Sequence, residues 1–218
     1  MTNEQAYQMA RSFPEFLAAV EAKKELWHAL ASRAPLFPEE VERVAAVPGS
    51  WRLLVIADDW CGDAVNTVPV VSRLVEAAPN LELRVVGREE VPDLMDRHLT
   101  AGARAIPVIL LLDEDGEERG WWGPRPRELQ DWFQRMGRDM AIEERYKEMR
   151  RWYARDRGAT AVSEVAHLVT EAWRPSSPRE PGRSLPDSSV EPGGSAPCPQ
   201  AVPRGDATVH SFAPSMRR

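Results

Sequence analysis

The chain has 218 residues and a mass of 24.5 kDa, which fits one core of ordinary size with extensions and leaves little room for two full domains. Its 43% hydrophobic and 28% charged residues are typical of a globular protein, and its net charge of −6 argues against a nucleic-acid partner, since phosphate binding needs a basic surface. No run approaches the ~20 apolar residues that span a membrane, and the first residues lack the order of a signal peptide, so we expect a cytoplasmic protein without membrane contact.

The cysteine and histidine content limits the chemistry that the chain can support. Two cysteines, Cys61 and Cys198, exclude a disulfide scaffold and a four-thiolate zinc site. The four histidines lie far apart in the sequence, and none has the close spacing of metal ligands. We therefore expect no bound metal, and no motif indicates a cofactor.

Residues 1–50 are predicted to form an N-terminal helical extension. Ser12 and Glu15 have the spacing of a capping box at a helix start, and the apolar residues between positions 16 and 30 recur on roughly one face. A second, short helix is expected over residues 38–47, because Pro48 and Gly49 follow it as stop signals.

Residues 51–138 alternate between strands and helices. A short apolar run rich in branched residues predicts a strand at 52–57, and further strands are predicted at 81–86 and 108–112, with a returning strand at 119–122. Helical spacing predicts helices from about residue 61 to 78, at 92–99 and at 127–136, while Asp115 and Gly116 form a hairpin turn. Two parallel strands followed by an antiparallel hairpin predict a three-layer α/β fold, a small mixed sheet with helices on both faces.

The rest of the chain divides into two segments of different composition. Apolar residues at helical spacing predict C-terminal helices within residues 139–173, which pack on the core or on a protein partner. The last 45 residues, 174–218, hold nine of the nineteen prolines, and their apolar residues follow neither the two-residue period of a strand nor the 3.6-residue period of a helix. We therefore expect a disordered tail.

A cysteine lies where the first strand of this core passes into a helix. Cys61, between Trp60 and Gly62, is placed at the first turn of that helix. Free backbone N–H groups and the helix dipole favour the thiolate there, and the thiolate is the nucleophilic form. We expect an exposed, activated Cys61; the alternative is a small buried residue that caps the helix.

These residues carry a resemblance to a known family. Trp60-Cys61-Gly62 at a strand-to-helix junction, with Ile106-Pro107 before a later strand, resembles the thioredoxin superfamily over about residues 50–136. More narrowly, the runs 58–64 and 93–107 resemble a bacterial group of thioredoxin-family proteins. The resemblance implies a cis Pro107 whose turn sets the Ile106 backbone beside the Cys61 sulfur, where an extended substrate can pair as an added strand.

Two departures from the superfamily pattern affect the expected reaction. Ala64 occupies the position of the second, resolving cysteine, and Val55 occupies that of the buried carboxylate that assists it. The resemblance therefore implies a monothiol disulfide oxidoreductase, in which Cys61 forms a mixed disulfide and an external thiol such as glutathione releases it. We interpret Cys198, in the tail, as an incidental cysteine rather than the resolving thiol.

Charged residues near Cys61 are candidate modulators of its reactivity. Asp58, Asp59 and Asp63 crowd the cysteine with negative charge, which disfavours the thiolate and repels an anionic thiol. The interpretation that we prefer is that Asp58 and Asp59 cap the following helix and Asp63 favours its dipole. Arg104 and Arg125 are expected to compensate this negative charge at the same end of the sheet. The alternative is that both are solvated surface arginines.

Three further aromatic residues are placed in the core or on the surface according to their position in the predicted strands and helices. Trp121 and Trp122 alternate faces of the last strand, so one of them is expected in the core. His98 is expected on the surface of its helix, far from the strand ends that carry the site, and not as a catalytic base.

Two functional hypotheses remain open at this stage. The first is a monothiol oxidoreductase that acts on protein or small-molecule disulfides through Cys61. The alternative is a non-catalytic binding module that uses the edge near Pro107, with the terminal helices docking a protein partner. A depressed pKa at an exposed Cys61 favours the enzyme. Peroxide reduction is disfavoured, because Asp58 stands where such sites carry Thr or Ser.

Overall fold

A five-stranded mixed sheet forms the centre of the protein, whose structure, a computed structural model, describes residues 1–173. The strands lie in the order β1-β3-β2-β4-β5, and only the β2–β3 pair is parallel. Their bounds are β1 Arg11–Ser12, β2 Trp51–Ile56, β3 Leu81–Val86, β4 Val108–Leu112 and β5 Glu118–Trp122. The predicted tail, residues 174–218 with Cys198, lies outside the described residues.

Helices lie before, between and after these strands. They are α1 Asn3–Met9, α2 Phe13–Ala19, α3 Lys24–Arg33, α4 Pro38–Ala45, α5 Gly62–Ala77, α6 Pro92–Asp96, α7 Arg127–Arg135, α8 Ile142–Asp156 and α9 Ala159–Ala172. This arrangement confirms the predicted α/β fold with extra helices at both ends. Within residues 1–173 no helix is both long enough and apolar enough to cross a membrane.

Strands β2 and β4, neighbours in the sheet, are almost entirely apolar because both faces of the sheet are covered there. All five residues of β4 are buried, and β2 is buried at every position except Arg52. Strands β3 and β4 have the bounds predicted from sequence, and β2 and β5 differ from theirs by one residue. The two-residue β1, which pairs with β3 through Arg11 and Ser12, has no pattern that predicts it.

The N-terminal extension confirms its predicted cap but not one continuous helical face. The Ser12 hydroxyl accepts from the Glu15 N–H and the Glu15 carboxylate accepts from the Ser12 N–H, which completes the capping box. Lys23 then adopts a left-handed conformation with φ 51°, and this break separates α2 from α3. Trp27 of α3 is buried and packs edge-on against Phe16 of α2, at 5.2 Å between ring centroids.

The C-terminal helices pack back on the core. A left-handed turn at Arg157 and Gly158 joins α8 to α9, and a Cβ at Gly158 would lie 2.6 Å from the Val70 side chain of α5. A separate apolar cluster holds α8 to α7, and its buried members are Leu129, Met149, Trp152 and Tyr153. These contacts bring α8 towards the first turn of α5, where Cys61 lies.

The assignment of His98 to a helix surface is wrong. Helix α6 ends at Asp96, and the His98 side chain turns inward, with the residue only 3% exposed. Its ring lies within hydrogen-bond distance of the Leu94 carbonyl and of the Glu118 carboxylate on β5. Trp122 is buried and Trp121 is partly exposed, as the strand alternation predicts.

Candidate active site

Cys61 is the N-cap residue of α5, at the point where the chain leaves β2. The Cys61 N–H donates to the Asp58 carbonyl at 3.1 Å and closes the turn between the two elements. The sulfur accepts from the Ala64 N–H at 3.4 Å, and the thiol donates to the Ile106 carbonyl at 3.3 Å. The Ile106-Pro107 peptide is cis, as the resemblance implies. The sulfur therefore lies between a helix N-terminus and the loop that precedes β4.

The environment of this sulfur differs from the expectation of an exposed thiolate. Cys61 is 7% exposed, and burial is the main cause that raises the pKa of its thiol. The charge of Asp63 raises the pKa further, while the Ala64 N–H and Arg125 lower it. Desolvation outweighs the helix N-terminus here, so the expected depression of the pKa is wrong. At neutral pH Cys61 is a thiol.

Asp58 and Asp59 do not cap α5, because the Cys61 side chain itself occupies the capping position. The Asp59 carboxylate accepts from the N–H groups of Glu21 and Ala22, at 2.9 and 2.7 Å. Asp58 accepts from the Arg88 N–H at 3.3 Å, and burial raises the pKa of its carboxyl. Both carboxylates therefore bind neighbouring loops, and the preferred interpretation of them as caps is wrong.

Asp63 is the carboxylate that faces the cysteine, and it is buried in a charged network. Its Oδ2 lies 2.7 Å from Nη2 of Arg125, and its Oδ1 accepts from the Tyr153 hydroxyl at 2.9 Å. Burial raises the pKa of Asp63, although both partners oppose the shift. Burial, and then the nearby Asp63 charge, raise the pKa of Tyr153 as well. The negative charge beside Cys61 is therefore paired.

The two arginines named from sequence have different surroundings. Arg125 is 13% exposed at its side chain, donates to Gln130 at 2.8 Å and stacks 4.2 Å from the ring centroid of Phe133. It is thus fixed beside Asp63 and is not a solvated surface arginine. Arg104 pairs with Asp96 at 2.6 Å on the surface and also lines the cleft over Cys61.

A cleft of about 530 Å³ opens over Cys61. Five of the residues predicted for the site line it: Trp60, Cys61, Gly62, Asp63 and Ile106. Pro107 is buried and does not line the cleft. The rest of the lining includes residues from the start of α3 and from α8, namely Lys23, Leu26, Tyr146, Met149, Arg150 and Tyr153. Trp60 is 49% exposed and stands at the mouth of the cleft.

Comparison with known proteins settles the family. A family model described as thioredoxin matches residues 10–150. The chain belongs to the thioredoxin family. The matched range starts before β1 and ends inside α8, so it takes in most of the N-terminal helices as well as the sheet.

Two solved structures resemble this thioredoxin-family protein along most of its length. A protein of unknown function from Pseudomonas aeruginosa is 20% identical, with a TM-score of 0.63 over 79% of this chain and 99% of that chain. An HIV epitope scaffold is 19% identical, with a TM-score of 0.63 over 78% and 99%. At these identities the likeness shows the fold alone. A search of the curated proteins finds no match.

Sequence reasoning missed the part of the site that the thioredoxin-family core does not supply. The spacing of Tyr146, Met149 and Tyr153 does predict one helical face, but nothing in the spacing indicates that the face closes over Cys61. Lys23 and Leu26 carry no motif at all. Among residues 1–173 no cluster of three or more His, Cys, Asp or Glu side chains has the arrangement of a metal site.

Proposed function

We propose that this protein is a monothiol disulfide oxidoreductase that forms mixed disulfides through Cys61 and relies on an external thiol for their release. The observation that carries the proposal is the position of the sulfur. It lies at the N-cap of α5, within 3.3 Å of the Ile106 carbonyl, and lines an open cleft. The residue whose N–H donates to this sulfur at 3.4 Å is Ala64, which occupies the position of a resolving cysteine. No second cysteine is therefore available next to Cys61.

The reaction proceeds through two thiol–disulfide exchanges. Cys61 loses its proton to solvent, and the thiolate attacks one sulfur of a substrate disulfide. A Cys61–substrate disulfide forms, the substrate S–S bond breaks, and the leaving thiolate takes up a proton. The thiolate of an external thiol then attacks the mixed disulfide and displaces Cys61. One half of the substrate leaves as a thiol, and the external thiol ends in a new disulfide with the other half. A second external thiol that attacks this disulfide completes the two-electron reduction of the substrate.

A raised pKa at Cys61 slows this chemistry without abolishing it. Each unit of pKa lowers the thiolate fraction tenfold, but a more basic thiolate is also more nucleophilic, so the net loss in attack rate is about threefold per unit. A basic sulfur is also a poor leaving group. We therefore expect the mixed disulfide at Cys61 to form slowly and then to accumulate.

The same raised pKa favours a second function, a binding module that does not use Cys61 as a nucleophile. In that function the cysteine is a buried N-cap, and the cleft holds a ligand without covalent chemistry. The burial of Cys61 is the observation that favours it.

Intact mass spectrometry after incubation with 2-hydroxyethyl disulfide distinguishes the two functions. The enzyme predicts one adduct on the wild-type protein, retained in Cys198→Ser, lost in Cys61→Ser and removed by added thiol. A wild-type protein that stays unmodified while its urea-unfolded form reacts would contradict the enzyme. Circular dichroism of each variant provides the control for folding.

A further inference from the structure

We propose that the cleft over Cys61 binds a small peptide thiol or disulfide that carries free carboxylates, and that residues from both ends of the chain select it. This inference deepens the proposed exchange at Cys61 and rests on it for the covalent step. Its basis is the charge and shape of the cleft walls, which the thioredoxin-family motif does not supply.

The cleft is strongly cationic in a protein of net charge −6. Its acidic lining is Asp63 alone, and its basic lining consists of Lys23, Arg88, Arg104, Arg125 and Arg150. Since Arg125 pairs with Asp63, the cleft keeps a clear excess of positive charge. An anion is therefore drawn to the cleft although the rest of the surface repels it.

Two of these cations have no carboxylate of their own. Arg88 pairs with Glu89 and Arg104 with Asp96, on carboxylates that do not line the cleft. Within residues 1–173, the charged side-chain groups of Lys23 and Arg150 have no hydrogen-bonded or ion-paired partner. They come from two elements far apart in the sequence, Lys23 from the turn before α3 and Arg150 from α8, and both line the cleft. A ligand with separated carboxylates matches this placement.

The size of the cleft indicates a small ligand rather than a folded protein. Its volume of about 530 Å³ lies in the range of ordinary small-molecule sites. Leu26 and Tyr146 are exposed apolar residues on its walls, and the Arg88 guanidinium stacks 5.3 Å from the Trp60 ring centroid at its mouth. A cleft of this volume holds a small molecule and not a folded protein.

The positive charge also suits the covalent step. When the Cys61 thiolate attacks a symmetrical disulfide RSSR, it forms Cys61–S–S–R and releases RS⁻ beside these cations. A second RSH, deprotonated to solvent, then attacks the mixed disulfide, so that RSSR forms again and Cys61 is restored. The carboxylates of R are held by the cleft in both steps.

Oxidised glutathione, neutral 2-hydroxyethyl disulfide and cationic cystamine are probes of matched chemistry and different charge. We expect Cys61 to form its adduct fastest with oxidised glutathione at low salt. Lys23→Gln and Arg150→Gln should each slow that reaction about fivefold and have a smaller effect on the rate with neutral 2-hydroxyethyl disulfide. The preference should shrink at 1 M salt, because the screening length falls to about 3 Å.

The neighbouring residues Lys24 and Arg151 provide matched controls, since neither lines the cleft. Lys24→Gln and Arg151→Gln should react like the wild type. Equal rates for all three disulfides, or equal losses in the control variants, would overturn the proposal while leaving the exchange at Cys61 intact.

Binding separates this proposal from the covalent chemistry. Isothermal titration of oxidised glutathione into Cys61→Ser should show binding that Lys23→Gln and Arg150→Gln weaken and Arg151→Gln does not. If no disulfide reacts but this binding is present, the proposed enzyme fails and the anionic ligand site stands. If no binding occurs, the ligand proposal is wrong.

Discussion

The Tyr153 hydroxyl donates a 2.9 Å hydrogen bond to Oδ1 of Asp63, the residue two positions after the candidate nucleophile. Both side chains are buried, and 90 positions separate them in the chain. This bond ties α8 to the first turn of α5. It therefore helps to place the α8 wall of the cleft, which includes Tyr146 and Arg150.

Loss of this hydrogen bond should destabilise the protein. We expect Tyr153→Phe to lower the free energy of unfolding by about 1–3 kcal/mol, because a buried carboxylate loses a partner. Urea unfolding at pH 7 measures the change. Tyr146→Phe is the matched control on the same helix, since Tyr146 is 48% exposed. A similar loss in both variants would show that the Asp63 contact contributes nothing specific.

The charged pair beside Cys61 should shift the pKa of its thiol in opposite directions when each member is removed. Asp63 raises this pKa and Arg125 lowers it, although burial remains the largest cause of the shift. We therefore expect Asp63→Asn to lower the pKa of Cys61 and Arg125→Gln to raise it. The rate of Cys61 alkylation against pH, followed by mass spectrometry in a Cys198→Ala background, gives both values.

Arg125→Lys is the control for this pair, because it keeps the charge and loses the planar fork that contacts Asp63 and Gln130. It should leave the pKa of Cys61 closer to the wild-type value than Arg125→Gln does. Shifts of the same sign in Asp63→Asn and Arg125→Gln would mean that packing, not charge, sets the pKa.

The fold was predictable from sequence wherever an element carries its own local signal. Strand β4 is an apolar run that follows Pro107, and β3 alternates apolar and polar residues after Asn80; the bounds of both agree with prediction. Strand β1 has only two residues and pairs because the folded chain brings Arg11 and Ser12 beside β3. No periodicity can mark so short a strand.

The site was predictable in its motif and not in its electrostatics. Cys61 and the Ile106-Pro107 peptide belong to short patterns, and the structure places the sulfur beside the Ile106 carbonyl. The charge around the sulfur depends instead on contacts between distant residues. Asp59 binds N–H groups 37 and 38 positions away, and Asp63 pairs with Arg125 across 62 positions. A count of carboxylates along the chain therefore overstated the negative charge.

Two glycines beside the site should respond oppositely to an added methyl group. A Cβ at Gly123 would lie 2.2 Å from the Pro107 carbonyl oxygen, and its φ of 135° disfavours side chains. A Cβ at Gly62 meets nothing within 4 Å. We expect Gly123→Ala to destabilise the fold and change the alkylation rate of Cys61, because it displaces the loop that contacts the sulfur.

Gly62→Ala is the control, and its expected effect is a stabilisation of about 0.4–1 kcal/mol, since alanine restricts the unfolded chain at a position that tolerates it. Urea unfolding and Cys61 alkylation are measured on both variants. A Gly123→Ala protein with wild-type stability would contradict the close approach of the two loops.

The buried His98 should make stability depend on pH. Both ring nitrogens face acceptors, the Leu94 carbonyl at 2.8 Å and the Glu118 carboxylate at 2.9 Å, so the protonated ring satisfies both. Burial alone lowers the pKa of His98, but these hydrogen bonds outweigh it and the net pKa is raised. The folded protein therefore binds this proton more tightly than the unfolded chain does.

It follows that the contribution of His98 to the free energy of unfolding is fully present below the unfolded pKa of about 6.5 and is lost as pH rises through the folded pKa. We expect the stability difference between wild type and His98→Gln, measured by urea unfolding, to be larger at pH 6 than at pH 9. His167→Gln, on the exposed face of α9, is the control. A difference that stays constant or grows with pH would mean that His98 is neutral in the folded protein, with one nitrogen lacking its hydrogen bond.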